Sequence, residues 1–226
     1  MPEEINRNFN RSYKQCSIYT IKNCDRKFKK KRDYDHFNHD IVHSGDVMQD
    51  GAIFYNDFAQ KPNFDVKKEF ILATIHRAEN TNDICRLKSI IEALNEISYK
   101  KQVVLPIHPR TRAIIEKYNI NLKFDVIEPV GYLEMIWFLK NCSMVMSDSG
   151  GLQKEAFFFK KPCITLRDET EWDELIFYNF NVLVGASKSR ILNTYNNHKF
   201  NDDFSLDLFG LGLASQKIIN YFLENR

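Results

Sequence analysis

No apolar stretch in this 226-residue chain approaches the roughly 20 residues that a membrane-spanning helix requires, and the opening Met1-Pro2-Glu3-Glu4 is acidic and polar, unlike a signal peptide. A cytoplasmic protein with no membrane association is therefore expected. Cysteine is sparse: Cys16, Cys24, Cys85, Cys142 and Cys163 are scattered with no Cys-x-x-Cys pair, which argues against a secreted disulfide framework. No His/Cys/Asp spacing matches a metal-ligand set, so no metal is expected. A formal net charge of +2 gives no global argument for nucleic acid as a partner. What the chain does have is apolar filling. Hydrophobic residues make up 43% of it, with 18 Phe and 10 Tyr, enough for the core of one large domain with or without an attached piece.

From Phe70 onward, short apolar runs alternate with stretches of helical spacing. The runs are Phe70-Ile75, Gln102-Ile107, Val126-Pro129, Ser143-Ser147, Pro162-Leu166 and Val182-Val184. Between them, Ile84, Leu87, Ile90, Ile91, Leu94 and Ile97 recur at three and four residues and predict a helix over Ile84-Ser98. Shorter helices are predicted over Arg110-Tyr118, Tyr132-Asn141, Leu152-Phe159 and Glu171-Tyr178. Strands alternating with helices imply crossover connections, hence an α/β fold with a Rossmann-like parallel sheet covered by helices on both faces. Ligands of such sheets bind beyond the carboxyl ends of the strands.

The loops at those ends are polar in a consistent way. They carry His76-Arg77, His108-Pro109-Arg110, Glu128-Pro129-Val130-Gly131, Ser149-Gly150-Gly151 and Arg167-Asp168-Glu169-Thr170-Glu171. Any one of these is an ordinary solvated loop or helix cap; five on one rim point to a single anionic-ligand site. Arg77, Arg110 and Arg167 offer forked donors to phosphate oxygens, and His76 and His108 can donate hydrogen bonds or exchange protons near neutrality. In Ser147-Asp148-Ser149-Gly150-Gly151-Leu152-Gln153-Lys154-Glu155-Ala156 a small-residue turn joins a strand to a helix. Its plain reading is a connecting turn. Its functional reading is a phosphate seat, because helix N-termini carry free N–H groups and glycine lets a ligand approach the backbone. Glu155, within the first turns of the helix, would then face a hydroxyl-bearing group beside the phosphate.

These loops, together with Lys161-Pro162-Cys163-Ile164-Thr165-Leu166 leading into Arg167, resemble in order the motifs of the non-hydrolysing UDP-N-acetylglucosamine 2-epimerases. The resemblance is dense from Ile41 to about Gly185 and implies the second half of the two-domain arrangement called GT-B. It also implies interconversion of UDP-N-acetylglucosamine and UDP-N-acetylmannosamine: the C2 proton is removed, UDP leaves C1 to give a glycal, and UDP adds back with inverted C2. No metal or nicotinamide cofactor is implied. By motif match, Ser149, Gly150 and Gly151 would hold the UDP phosphates and Glu155 the ribose hydroxyls. His76 and Arg167 would lie on the diphosphate, with His76 also catalytic, and Arg110 and Glu171 would assist. Met135, or Tyr132, would stand near the base, and Glu3 corresponds to one acid/base carboxylate.

The His-Gly-Asp-Thr and His-Val-Glu-Ala-Gly loops of the family's first domain have no counterpart here. The resemblance thus divides the chain into a diverged connector (1–40), a UDP-binding Rossmann-like domain (41–207) and a C-terminal helix (208–226), impaired on its own. It leaves as alternatives a non-catalytic UDP-binding fragment, one half of a split enzyme completed by a partner chain or by self-association, and a GT-B glycosyltransferase. Within the connector, the basic run Arg26-Lys27-Phe28-Lys29-Lys30-Lys31-Arg32 reads as a solvated segment, a nucleic-acid or membrane-surface patch, or the product of a shifted reading frame. The final Ala214-Asn225 reads as an amphipathic helix with Ile218, Ile219, Phe222 and Leu223 on one side.

Overall fold

The computed structural model describes residues 16–19 and 40–225. Glu3, the basic run and the frame-shift question lie outside them. The chain forms two compact units, one of residues 55–205 and one of residues 1–54 with 206–226.

In the smaller unit, strands β1 (Cys16–Tyr19) and β2 (Asp40–His43) pair in parallel, so the segment read as a connector contains a strand. Helix α1 (Val47–Tyr55) follows. The sequence boundaries placed 41–54 with the sheet domain, whereas here it groups with the C-terminal segment, for local reasons. The Asp46 N–H donates to the Phe209 carbonyl at 2.7 Å. Gly45 and Gly210 both have positive φ, and a Cβ on either would come within 2.7 Å of the other turn's backbone. The Asp50 carboxylate accepts from the Ala214 and Ser215 N–H groups at 3.1 and 2.6 Å, supplying partners to the first turn of the last helix.

The larger unit holds six parallel strands. In chain order they are β3 (Phe70–Thr74), β4 (Gln102–Pro106), β5 (Asp125–Ile127), β6 (Met144–Ser147), β7 (Cys163–Thr165) and β8 (Asn181–Leu183). The helices are α2 (Ala78–Thr81), α3 (Ile84–Ser98), α4 (Pro109–Lys117), α5 (Tyr132–Asn141), α6 (Gly150–Phe158), α7 (Asp173–Phe177) and α8 (Lys188–Asn197), with α9 (Ala214–Glu224) in the other unit. All six strands fall on the apolar runs of the sequence. Three helices begin at different places from those the spacing predicts, α4 by one residue at Pro109 and two others by two residues. α6 starts at Gly150, because the Ser149 side chain accepts from the Leu152 N–H and caps it there; α7 starts at Asp173, leaving Glu171 and Trp172 in a loop.

The spatial strand order is β5-β4-β3-β6-β7-β8. The chain winds outward from β3 through β4 and β5, then crosses back to lay β6 on the other side of β3. The switch point therefore lies between β3 and β6, whose ends are in register at Thr74 and Ser147. Along β3, Ile71 and Ala73 enter one apolar cluster with Leu87, Ile90 and Leu94 of α3, while Phe70 and Leu72 enter the other with Phe138 of α5 and Ala156 of α6. Burial on both faces is why Phe70 to Ala73 are apolar at successive rather than alternate positions.

Candidate functional site

The site is assembled by one buried acid. Asp148, directly after β6, is fully buried and lies at the switch point. Its carboxylate accepts from the His76 N–H at 3.0 and 3.1 Å, from the Arg77 N–H at 3.0 Å and from Asn80 Nδ2 at 3.1 Å. Asn80 Nδ2 also donates to the Leu166 carbonyl at 2.9 Å, joining the loop after β7. Thr74 and Ser147 share a hydrogen bond of 2.6 Å just beneath, and the Ser147 hydroxyl accepts from the Ser149 N–H at 2.9 Å. Loops from three neighbouring strands are thereby locked together. The motifs assign no role to Asp148 or Asn80; the signal for Asp148 is an acid one residue beyond the apolar run Met144-Val145-Met146, which must find donors if it is buried.

On this base stand the groups that the sequence suggests for anion binding. Ser149 caps α6, and Gly150 and Gly151 form its first turn, where the leading N–H groups have no helical acceptor. Arg167 is only 5% exposed, and its guanidinium grips Glu171 in a fork of 2.8 and 3.3 Å. Arg77 Nη2 lies 3.7 Å from the same carboxylate. A Cβ on Gly150 would sit 3.3 Å from Arg77 Nη2, 3.4 Å from Glu171 Oε2 and 3.7 Å from Arg167 Nη1. Both guanidinium groups therefore converge on the mouth of α6. The Trp172 indole N–H donates to the Gly150 carbonyl at 2.8 Å and the ring lies 4.2 Å from Lys154 Nζ, fixing the Glu171 loop against the helix. His76 Nδ1 lies 3.7 Å from Asp148 Oδ1, and its ring centroid is 6.4 Å from that of His108.

Glu155 is buried one turn further along α6 and hydrogen-bonds Tyr132 at the start of α5. Burial pushes the Glu155 carboxyl above the ordinary range, against the lowering influence of the Tyr132 hydroxyl and Lys154. Burial and the adjacent Glu155 push the Tyr132 phenol up to about 12. Glu171 goes the other way: burial opposes its charge, but the hydrogen bond and charge of Arg167, with Arg77 nearby, outweigh it and hold the carboxyl low.

Two residues named from sequence stand apart from this cluster. Arg110 donates to Asn82 Oδ1 at 2.7 Å on an exposed rim, and Met135 packs against the apolar cluster beneath α5. Tyr132, which makes the carboxylate contact, is the residue of that helix tied to Glu155.

The switch-point crevice thus gathers a glycine-opened helix N-terminus, two converging arginines and a histidine, all donors suited to an anion. The sequence profile of the UDP-N-acetylglucosamine 2-epimerase family matches residues 1–223. The chain is similar to the UDP-2,3-diacetamido-2,3-dideoxy-D-glucuronate 2-epimerase of Pseudomonas aeruginosa, 52% identical over 189 residues, covering 81% of this chain and 53% of that protein. It is also similar to a UDP-N-acetylglucosamine 2-epimerase homolog of Methanococcus maripaludis, 40% identical over 236 residues, covering 97% of this chain and 63% of that one. Among solved structures, the Methanocaldococcus jannaschii UDP-GlcNAc 2-epimerase in complex with UDP-GlcNAc and UDP superposes with a TM-score of 0.79 at 31% identity, covering 98% of this chain and 65% of that one. The chain thus spans between half and two thirds of the length of these relatives. With the family profile matched over residues 1–223, the chain belongs to the UDP-N-acetylglucosamine 2-epimerase family.

Proposed function

We propose that this chain holds the UDP moiety of a UDP-linked 2-acetamido sugar and serves the 2-epimerisation of that sugar in the cytoplasm. The observation that carries the reading is the convergence of Arg77, Arg167 and the α6 N-terminus at the switch point. Phosphate oxygens there would meet the N–H groups of Gly150 and Gly151, the Ser149 hydroxyl and two forked guanidinium groups. Glu155, buried and already bonded to a hydroxyl, would accept from the ribose hydroxyls. In the epimerisation, UDP leaves C1 as the C2 proton is removed. Negative charge then grows on the diphosphate, which Arg167, His76 and the helix dipole are placed to stabilise. His76 is held in position through its backbone by Asp148. The C2 proton would be handled by carboxylates, with Glu3 as one of them. Arg110 would steer the anion from the rim, and Met135 would stand near the base.

The named substrates of the relatives, UDP-GlcNAc and a UDP-diacetamido glucuronate, share UDP and a C2 acetamido group. The proposed class is accordingly UDP-2-acetamido sugars. Because the chain spans only part of its relatives, a second reading is favoured alongside: a UDP-binding half that turns over with a partner chain or a second copy. Calorimetric titration with UDP, run beside an NMR assay of C2 epimerisation on UDP-N-acetylglucosamine, tests both. Micromolar binding with turnover supports the first reading, and binding without turnover the second. Absence of UDP binding would refute the site.

A further inference from the structure

We propose that Glu171 is an exchangeable counter-ion seated in the diphosphate position, and that it sets the affinity of the site by competing with the incoming phosphate for Arg167 and Arg77. The proposal rests on the UDP reading only for the identity of the ligand. Its own basis is geometric. A carboxylate and a phosphate present the same feature to a guanidinium, two oxygens in a plane that accept a forked pair of N–H bonds. Glu171 makes that fork with Arg167 at 2.8 and 3.3 Å, lies 3.7 Å from Arg77, and lies 3.4 Å from the Cβ position of Gly150. It therefore occupies the place where both arginines and the helix N-terminus converge.

The burial of the partners explains why an anion has to be there. Arg167 is 5% exposed, and its Nε has no hydrogen-bond partner among the described residues. A buried guanidinium without a counter-charge is strongly unfavourable, so some anion must sit on it whether or not ligand is bound. Glu171 supplies that charge, yet its own side chain is 46% exposed and springs from the loop before α7. One partner is fixed in the protein and the other can rotate into water. The site thus presents two arginines already aligned, with their charge partly neutralised until a stronger anion displaces the carboxylate. The unpaired Nε leaves one further donor for a ligand larger than a carboxylate. A purely structural ion pair would behave differently: breaking it would loosen Arg167 and weaken binding.

The test compares calorimetric titrations of inorganic diphosphate, UDP and uridine into the full chain and its Glu171→Gln variant, over a salt series. Glutamine keeps the length and one acceptor for Arg167 but removes the charge. The expected result is tighter binding of diphosphate and UDP by roughly five- to tenfold, with a steeper loss of affinity as salt rises and no change for uridine. A gain confined to the charged ligands is something a lost structural contact cannot produce. Unchanged or weaker diphosphate binding by a variant of native circular dichroism overturns the proposal. Should Glu171→Gln not fold, Glu171→Asp, which keeps the charge but withdraws it, is expected to bind diphosphate about two- to threefold tighter, and equal or weaker binding again overturns it. Tighter diphosphate with no UDP binding by either protein leaves the counter-ion role standing and refutes the UDP reading. Diphosphate and UDP that both bind, each with equal affinity for parent and variant, overturn the counter-ion role and leave the UDP reading standing.

Discussion

At Gly150 the backbone is unstrained, and what the residue provides is room. A Cβ there would lie within 3.3–3.7 Å of the ends of three side chains, the same volume a phosphate oxygen would use. Gly150→Ala is expected to fold normally, since the flexible ends of Arg77 and Glu171 can give, but to lose UDP affinity by about tenfold, ~1.4 kcal/mol. Gly150→Asp, which adds a negative charge, should abolish binding; unchanged affinity in titrations of either variant would remove this loop from the site. The role proposed for Glu155 concerns a different part of the ligand. Glu155→Ala is expected to weaken UDP far more than inorganic diphosphate, because only the ribose contact is lost. Equal weakening of the two would refute the ribose assignment.

Elements enter through Asp148, which ties the ends of β3 and β6 together and reaches the loop after β7 through Asn80. Asp148→Asn replaces an acceptor-only group by one that points an NH2 at existing donors. It should destabilise the fold by about 2–4 kcal/mol in urea unfolding and release the His76-Arg77 loop. A loss below about 0.5 kcal/mol would mean that the loops are held by other contacts. The apolar strands and α3 were legible because periodicity and burial are local consequences of side-chain type: Ile84–Ser98 matches its spacing residue for residue. α8 was not read from sequence, because only Ile191 and Thr194 of it are buried and its apolar stripe is narrow. Spacing alone predicts a helix from Glu171, whereas the loop contacts of Thr170 with Gln153 and Trp172 with Gly150 draw that segment out to the site.

For the molecule as a whole, the shifted carboxyls make stability depend on pH in opposing directions. Glu171, and likewise Asp50 where hydrogen bonds from Ser215 and Ala214 outweigh burial, have lowered values. Their contributions are present above the ordinary carboxylate range and are lost as pH falls through the lowered values. Glu155 is raised, so in the window above its ordinary value of 4.5 the folded state binds the extra proton and stability falls as pH rises. Glu155→Gln is therefore expected to raise the melting temperature at pH 7 while converging on the parent below about pH 4, where both states hold the carboxyl protonated. A pH-independent difference in thermal scans would contradict this. On α9, Ile219, Phe222 and Leu223 are each more than half exposed. Such a face favours association, so sedimentation should show concentration-dependent oligomers that Phe222→Asp disperses; a monomer at all concentrations would count against self-association.

Composition and periodicity alone determined that this is a parallel α/β chain with its polar chemistry at the strand ends, because an apolar strand between helices has few other ways to bury both faces. The motif order carries the family, and it is that resemblance, rather than periodicity, that points to Ser149, Gly150, Gly151, Glu155 and Arg167. Which of those strand ends meet was decided only in three dimensions. The order β4-β3-β6-β7 brings residues 77, 150 and 167 to one point and leaves Arg110 on the rim, and strand order is a property of chain crossing rather than of local sequence. The partnership of Glu171 with Arg167, and the burial of Asp148 beneath the site, follow from that crossing. A charged residue in a loop has no preference of its own for a partner until the fold removes water from around it.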